Sequence, residues 1–276
     1  MISFCCSAVQ KAGQQSEYLQ NKKGHLFMET AARCARIGNR ILNGIVVLLI
    51  VVMFLYGSYS LWDTAMIYRG AFVSSDLLQF KPVSTGETDN PTLSELQAIN
   101  EDVRGWVTID DTHIDYPVVQ GETNMEYINK DVYGEFALSG SIFLDSTNSP
   151  DFSDGYILLY GHHMENGGMF GDIVEFVNQN YFDAHTTGTL YAPGSTWSIE
   201  LFACLEVDAY DSMVFNPTAQ KEGKVESLLE YIRKNAVCYR EIGVGPEDQI
   251  IGLSTCAEAE TNGRVVIYGR LKPMSA

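Results

Sequence analysis

The longest apolar run of the chain sets its first division. From Ile41 to Trp62 no residue is charged, and Ile45 to Tyr56 is almost purely aliphatic or aromatic. Twenty-two residues at about 1.5 Å rise make a helix of roughly 33 Å, long enough to cross a hydrocarbon core of about 30 Å. Tyr56, Tyr59 and Trp62 collect at its C-terminal end, where a helix leaving a bilayer carries its aromatic belt. A cleaved secretory signal fits less well, because a 40-residue segment precedes the run and only Gly57 and Ser58 offer small residues for cleavage.

Beyond the run the periods shorten. Thr92 and Glu95 have capping-box spacing, and Leu96, Ile99 and Val103 follow at i, i+3 and i+7, which predicts a short helix opening a domain. Strand-like runs follow at 105–109, 114–119, 140–144, 156–160, 189–192, 197–207, 249–256 and 264–271, separated by Asp, Asn, Gly and Pro clusters. Two helical stripes interrupt them: Phe170, Ile173, Val174 and Val177, then Val225, Leu228, Leu229 and Ile232. Strands in the majority with a few helices predict a mostly β fold, an antiparallel sheet or barrel with helical insertions.

Charge sharpens this division. The 276 residues carry a net charge of −17, but residues 1–40 hold six basic and two acidic groups, a net of +4, leaving −21 for everything after Trp62. Surplus carboxylate excludes a general nucleic-acid binder, which needs clustered Lys and Arg. By the positive-inside rule the basic head lies in the cytoplasm and the acidic body outside. The expected organisation is a cytoplasmic tail (1–40), a membrane anchor (41–62), an extracellular stalk (63–90) and a folded domain (91–276).

Six cysteines divide along the same line. Cys5, Cys6 and Cys34 precede the apolar run, while Cys204, Cys238 and Cys256 follow it, so the outer three cannot all pair within one chain. Cys204 in an apolar strand and Cys238 after a helix read as core thiols. Cys256 differs, because it ends one strand, and Arg264 opens the next after a seven-residue loop. If the two strands pair as a hairpin, thiol and guanidinium stand side by side. A cation favours the nucleophilic thiolate, or holds the oxygen of a substrate carbonyl. His162 and His163 follow a third apolar strand within Tyr160-Gly-His-His-Met164. Strand neighbours point to opposite faces, so the pair is a poor two-ligand metal site, whereas one histidine with a cysteine is an acyl-transfer pairing. The acidic positions Asp145, Asp151 and Asp154 lack the spacing of a calcium loop and read as solvated. The sequence calls for no metal and no cofactor.

Tyr160-Gly-His-His-Met-Glu-Asn-Gly-Gly-Met-Phe170, together with Leu253-Ser-Thr-Cys256 and Arg264, resembles the sortases, and their class B in particular. The resemblance extends more loosely from Pro91 to Pro273. It implies a closed β-barrel of about eight strands with helical insertions behind an N-terminal transmembrane helix. It also implies a cysteine transpeptidase on the outer face of a Gram-positive membrane. Cys256 would attack the peptide bond after the threonine of a sorting signal, LPxTG-like or NPxTN-like, on a secreted protein. His162, directly after Gly161, would serve the leaving and incoming amines, and Arg264 would orient substrate and stabilise the oxyanion. Ser254 and Thr255 would help hold the substrate. The acceptor would be an amine of a peptidoglycan precursor or a pilin lysine, and the latter makes a pilin polymerase the alternative. A catalytically inactive surface binding module is a third reading. A papain-like protease is disfavoured by chain order, since there the cysteine precedes its histidine.

Overall fold

A computed structural model describes residues 2–83, 90–220, 225–256 and 262–274. The chain divides into two compact units, Met1–Asp63 and Thr64–Ala276.

The described residues of the first unit all belong to helix α1 (Ile2–Arg69). Ile45, Leu48, Val52 and Leu55 are all half or more exposed, so the helix presents apolar side chains without a protein core to receive them. Within Lys22–Met66 it is long and apolar enough to cross a membrane, with a mean hydropathy of 2.4 over its most apolar stretch.

The second unit is built on a sheet that closes on itself. Its strands are β1 (Val103–Ile109), β2 (Asp115–Val119), β3 (Ile142–Leu144), β4 (Tyr156–Gly161), β5 (Thr187–Ala192), β6 (Ser195–Asp208), β7 (Cys238–Tyr239), β8 (Gln249–Cys256) and β9 (Gly263–Pro273). They lie in the order β5-β1-β2-β3-β4-β8-β9-β6-β7, and a further β5–β6 pairing closes eight of them into a barrel with β7 outside the ring. All eight predicted runs are strands. Pairing is antiparallel except at β2–β3 and β4–β8, which run parallel. The closure falls to β6, whose 14 residues pair with β5 on one side and β9 on the other. A register shift between Leu201 and Ala203 bends it as a barrel strand must bend.

Several strands are buried on both faces, which explains their continuous apolar runs. On β8 and β9, Ile251, Leu253, Val265 and Ile267 join one core cluster. Ile250, Val266 and Tyr268 join another, beneath Leu228, Leu229 and Ile232 of helix α5 (Val225–Asn235). A third cluster packs Trp106, Val119 and Phe143 under Leu93 and Leu96 of helix α3 (Pro91–Ile99).

Three local expectations change. Helix α3 begins at Pro91 and makes no side-chain cap; Thr92 lies inside its first turn, so the capping box does not form. Its buried stripe is Leu93 and Leu96, Ile99 is exposed, and Val103 already belongs to β1. The stripe after Phe170 forms a 3-10 helix (Gly171–Val177) with Ile173 and Phe176 buried three residues apart, followed by helix α4 (Gln179–Ala184), capped by Asn178. Part of the expected stalk lies on the barrel, because its apolar residues find burial there: Ala71 and Leu77 are buried, and Lys81 pairs with Asp115 at 2.6 Å. The polar stretch 84–89 lies outside the described residues.

Candidate active site

Three neighbouring strands place the residues singled out in the sequence. β4 and β8 run parallel, with Tyr160 beside Ser254 and Gly161 beside Thr255. His162 and Cys256 are the next residues of the two strands' paths, so they leave the register at the same end. β8 and β9 are antiparallel with Cys256 opposite Arg264, the hairpin pairing anticipated above. Residues 257–261 of the connecting loop lie outside the described residues.

This end of the barrel opens into a cleft of about 270 Å³. Ile128, Phe143, Ala209 and Phe215 form its apolar walls, and Asn124, Tyr160, His162, Ser254, Thr255 and Arg264 are its polar lining residues. Such a mixture, mostly apolar with a few polar groups, is the usual make-up of a ligand-binding cleft.

His162 follows the end of β4, and its ring is held by a 2.8 Å hydrogen bond between Nε2 and the carbonyl of Ile128. A carbonyl only accepts, so the neutral imidazole donates from Nε2 and keeps its lone pair at Nδ1. Ile128 belongs to a 3-10 helix (Glu126–Asn129). Gly161 lets the histidine approach closely: a Cβ there would meet the Phe170 ring at 2.8 Å and Ile142 Cδ1 at 2.4 Å. His163 has a different setting. It bridges to Met169, its Nδ1 is buried without a hydrogen-bond partner among the described residues, and it does not line the cleft.

Ser254 and Thr255 are almost completely buried, yet Ser254 Oγ and Thr255 Oγ1 have no hydrogen-bond partner among the described residues. Hydroxyls left in that state at the wall of a cleft are groups that a ligand can satisfy. Arg264 is half-buried, and Nη1 donates to the carbonyl of Gly263 at 3.0 Å.

One residue of the site escaped the sequence reading. Asp145, taken there for a solvated loop carboxylate, is 2% exposed. It accepts from Tyr160 Oη and Asn124 Nδ2, both at 2.8 Å, and from Thr147. Burial first, and the Asp145 charge next, push the Tyr160 hydroxyl far above its ordinary pKa, so it stays a donor. Tyr160 also stacks between Phe143 and Phe215 at 5.3 and 6.3 Å. Asp145 thus fixes two cleft side chains from behind. A turn of Asp, Ser and Asn looks solvated in sequence, and only the partners brought by Asn124 and Tyr160 explain its burial. No His, Cys, Asp and Glu group among the described residues has the arrangement of a metal site.

Fold and site together define a closed β-barrel domain with a cleft at its rim and a cysteine, an arginine and a histidine at the ends of adjacent strands. The chain is similar to known proteins in both sequence and fold. The sortase domain model matches residues 107–272. A Listeria monocytogenes sortase B is 34% identical over 181 residues, covering 65% of this chain and 73% of that protein. A Streptococcus pyogenes class B sortase involved in pilus biogenesis is 42% identical, with a TM-score of 0.60 over 65% of this chain and 97% of that one. The Staphylococcus aureus sortase B–substrate complex is 27% identical, with a TM-score of 0.63 over 68% of this chain and 88% of the other. The chain belongs to the sortase family of cysteine transpeptidases, in its class B.

Proposed function

We propose that this chain is a membrane-anchored transpeptidase that cleaves the sorting signal of secreted proteins and passes the acyl group to an amine. The observation that carries the reading is the register that brings Cys256 opposite Arg264 and sets His162 at the same strand ends, beside the cleft. The Cys256 thiolate attacks the carbonyl carbon of the signal's threonine, in the peptide bond that follows it. A C–S bond forms as the C–N bond breaks, and the His162 imidazolium gives the leaving amine its proton. The incoming amine then attacks the thioester and returns a proton to His162, and the thiolate departs. With Nε2 engaged by the Ile128 carbonyl, Nδ1 is the nitrogen that exchanges protons. Arg264 donates to the developing oxyanion. Ser254 and Thr255 offer their unpartnered hydroxyls to the bound peptide. Because the thioester is resolved by an amine, the acyl bond energy is conserved.

The helix within Lys22–Met66 supplies the anchor, with the basic head inside and the barrel outside, at the face where secreted substrates emerge. Two acceptors fit this chemistry. A peptidoglycan precursor amine would make the chain a wall-anchoring enzyme. A pilin lysine would make it a pilin polymerase, which is favoured by 42% identity to a relative involved in pilus biogenesis.

The test is an acyl adduct on Cys256, read by intact mass after incubation with LPxTG-like and NPxTN-like peptides. Wild type should form one and Cys256→Ala none. Absence of any adduct across the panel would favour a surface binding module instead.

A further inference from the structure

The residues after His162 form a loop that folds back onto it. The Phe170 amide donates to the His162 carbonyl at 3.0 Å, His163 bridges to Met169, and the Gly167 amide donates to the Met164 carbonyl at 3.0 Å. The placement of His162 therefore depends on the returning arm, Gly168 to Phe170. That arm is under constraint: Met169 is not glycine, yet takes φ +53°, a left-handed conformation that must be held by its surroundings.

What holds it is a node of three groups outside the cleft. The Met169 amide is shared between Tyr116 Oη at 2.8 Å and the carbonyl of Ala71 at 3.2 Å, and Tyr116 Oη itself donates to that carbonyl at 2.8 Å. All three residues are buried: Tyr116 5%, Ala71 0% and Met169 2% exposed. Gly168 fits against the same strap so closely that a Cβ would lie 2.7 Å from the Ala71 carbonyl oxygen and 2.8 Å from its Cβ. Ala71 lies two residues after α1 in the chain. The hydroxyl of Tyr116 thus serves as both donor and acceptor, and it joins this strap to the loop that begins at His162.

We propose that Tyr116 is a positioning residue for His162, acting through the Met169 amide, and that the strap at Ala71 is part of the active-site scaffold. This rests on the reading of His162 as the proton-transfer group. Loss of the hydroxyl leaves the left-handed Met169 with only the longer bond to Ala71, and the imidazole then samples orientations away from the one set by Ile128. Small displacements of a proton-transfer group lower turnover more than binding.

The experiment uses the full chain in lipid nanodiscs and whichever sorting peptide the wild type turns over. Tyr116→Phe and Gly168→Ala should each lower kcat by roughly tenfold or more with KM within about twofold. Both should also shift or broaden the His162 resonance in a spectrum of protein labelled at histidine Cε1. Asn178→Ala, whose side chain caps α4 by accepting from the Asn180 and Tyr181 amides rather than from the loop, should lower thermal stability and leave kcat and that resonance unchanged. An unaltered kcat and an unaltered His162 resonance in Tyr116→Phe would overturn the proposal, as would a change confined to KM. If the wild-type chain forms no Cys256 adduct, the transpeptidase reading fails, while the histidine resonance still reports whether the node positions the ring.

Discussion

Asp145 shows how much a site can owe to a residue that never touches the reacting bond. Its carboxylate is buried, and removing it takes an acceptor from the Tyr160 hydroxyl and the Asn124 amide. Asp145→Ala should therefore destabilise the fold by about 2–4 kcal/mol, measured by chemical denaturation, and reduce turnover through loss of order at Tyr160 and Asn124. The two adjacent histidines make the complementary point. His162 lines the cleft and His163 does not, so His162→Ala and Arg264→Ala should each severely impair peptide turnover, and His163→Ala should do much less. Normal turnover in either of the first two would remove that residue from the mechanism. Cys256, His162 and Arg264, the proposed nucleophile, base and cation, could be singled out in the sequence because such residues at strand ends have few structural uses together. Asp145 was not, since an acidic loop residue looks solvated until its partners, 15 and 21 residues away, are known.

At the scale of elements, strands were read more securely than helix ends. Two-sided burial gives β8 and β9 an unbroken apolar signature, whereas β7, with two residues, has no periodicity to detect. Helix α5 was legible because all four apolar residues of its stripe are buried over the sheet. Leu228→Ala should cost about 2–5 kcal/mol by the same denaturation measurement. On β6, burial disfavours ionisation of Glu200, but hydrogen bonds from Arg270 and Lys272 outweigh it and hold the carboxyl below its ordinary value. A depressed folded-state pKa contributes stability above the unfolded value and loses it as pH falls through the folded one. Wild type should therefore lose more melting temperature between neutral pH and pH 3 than Glu200→Gln does. Across the β6–β7 pairing Cys204 faces Cys238, and burial raises the Cys204 thiol well above its ordinary pKa and raises the Cys238 thiol as well. An alkylating reagent applied to the native protein should accordingly modify Cys256 and spare these two, as peptide mapping would show.

For the whole molecule, the proposed topology makes Cys34 the informative probe, since it is exposed and precedes the apolar stretch. In a Cys256→Ala background, a membrane-impermeant maleimide should leave intact cells unlabelled and label the chain only after permeabilisation. Labelling of intact cells would invert the orientation. The division of charge, the apolar span, the succession of strands and the choice of candidate reactive residues were determined by the sequence alone. Each is a local property, set by hydropathy, period or residue type within a window of at most a few tens of positions. Tertiary structure decided what depends on distant partners. Barrel closure required β6 to pair with both β5 and β9, and the parallel β4–β8 register brought His162 and Cys256 to one end although 94 positions separate them. The strap at Ala71 is joined to the domain by hydrogen bonds with Tyr116 and Met169. Hydrogen bonds and packing between residues far apart in the chain leave no periodicity behind them, and for that reason they were visible only once the barrel had closed.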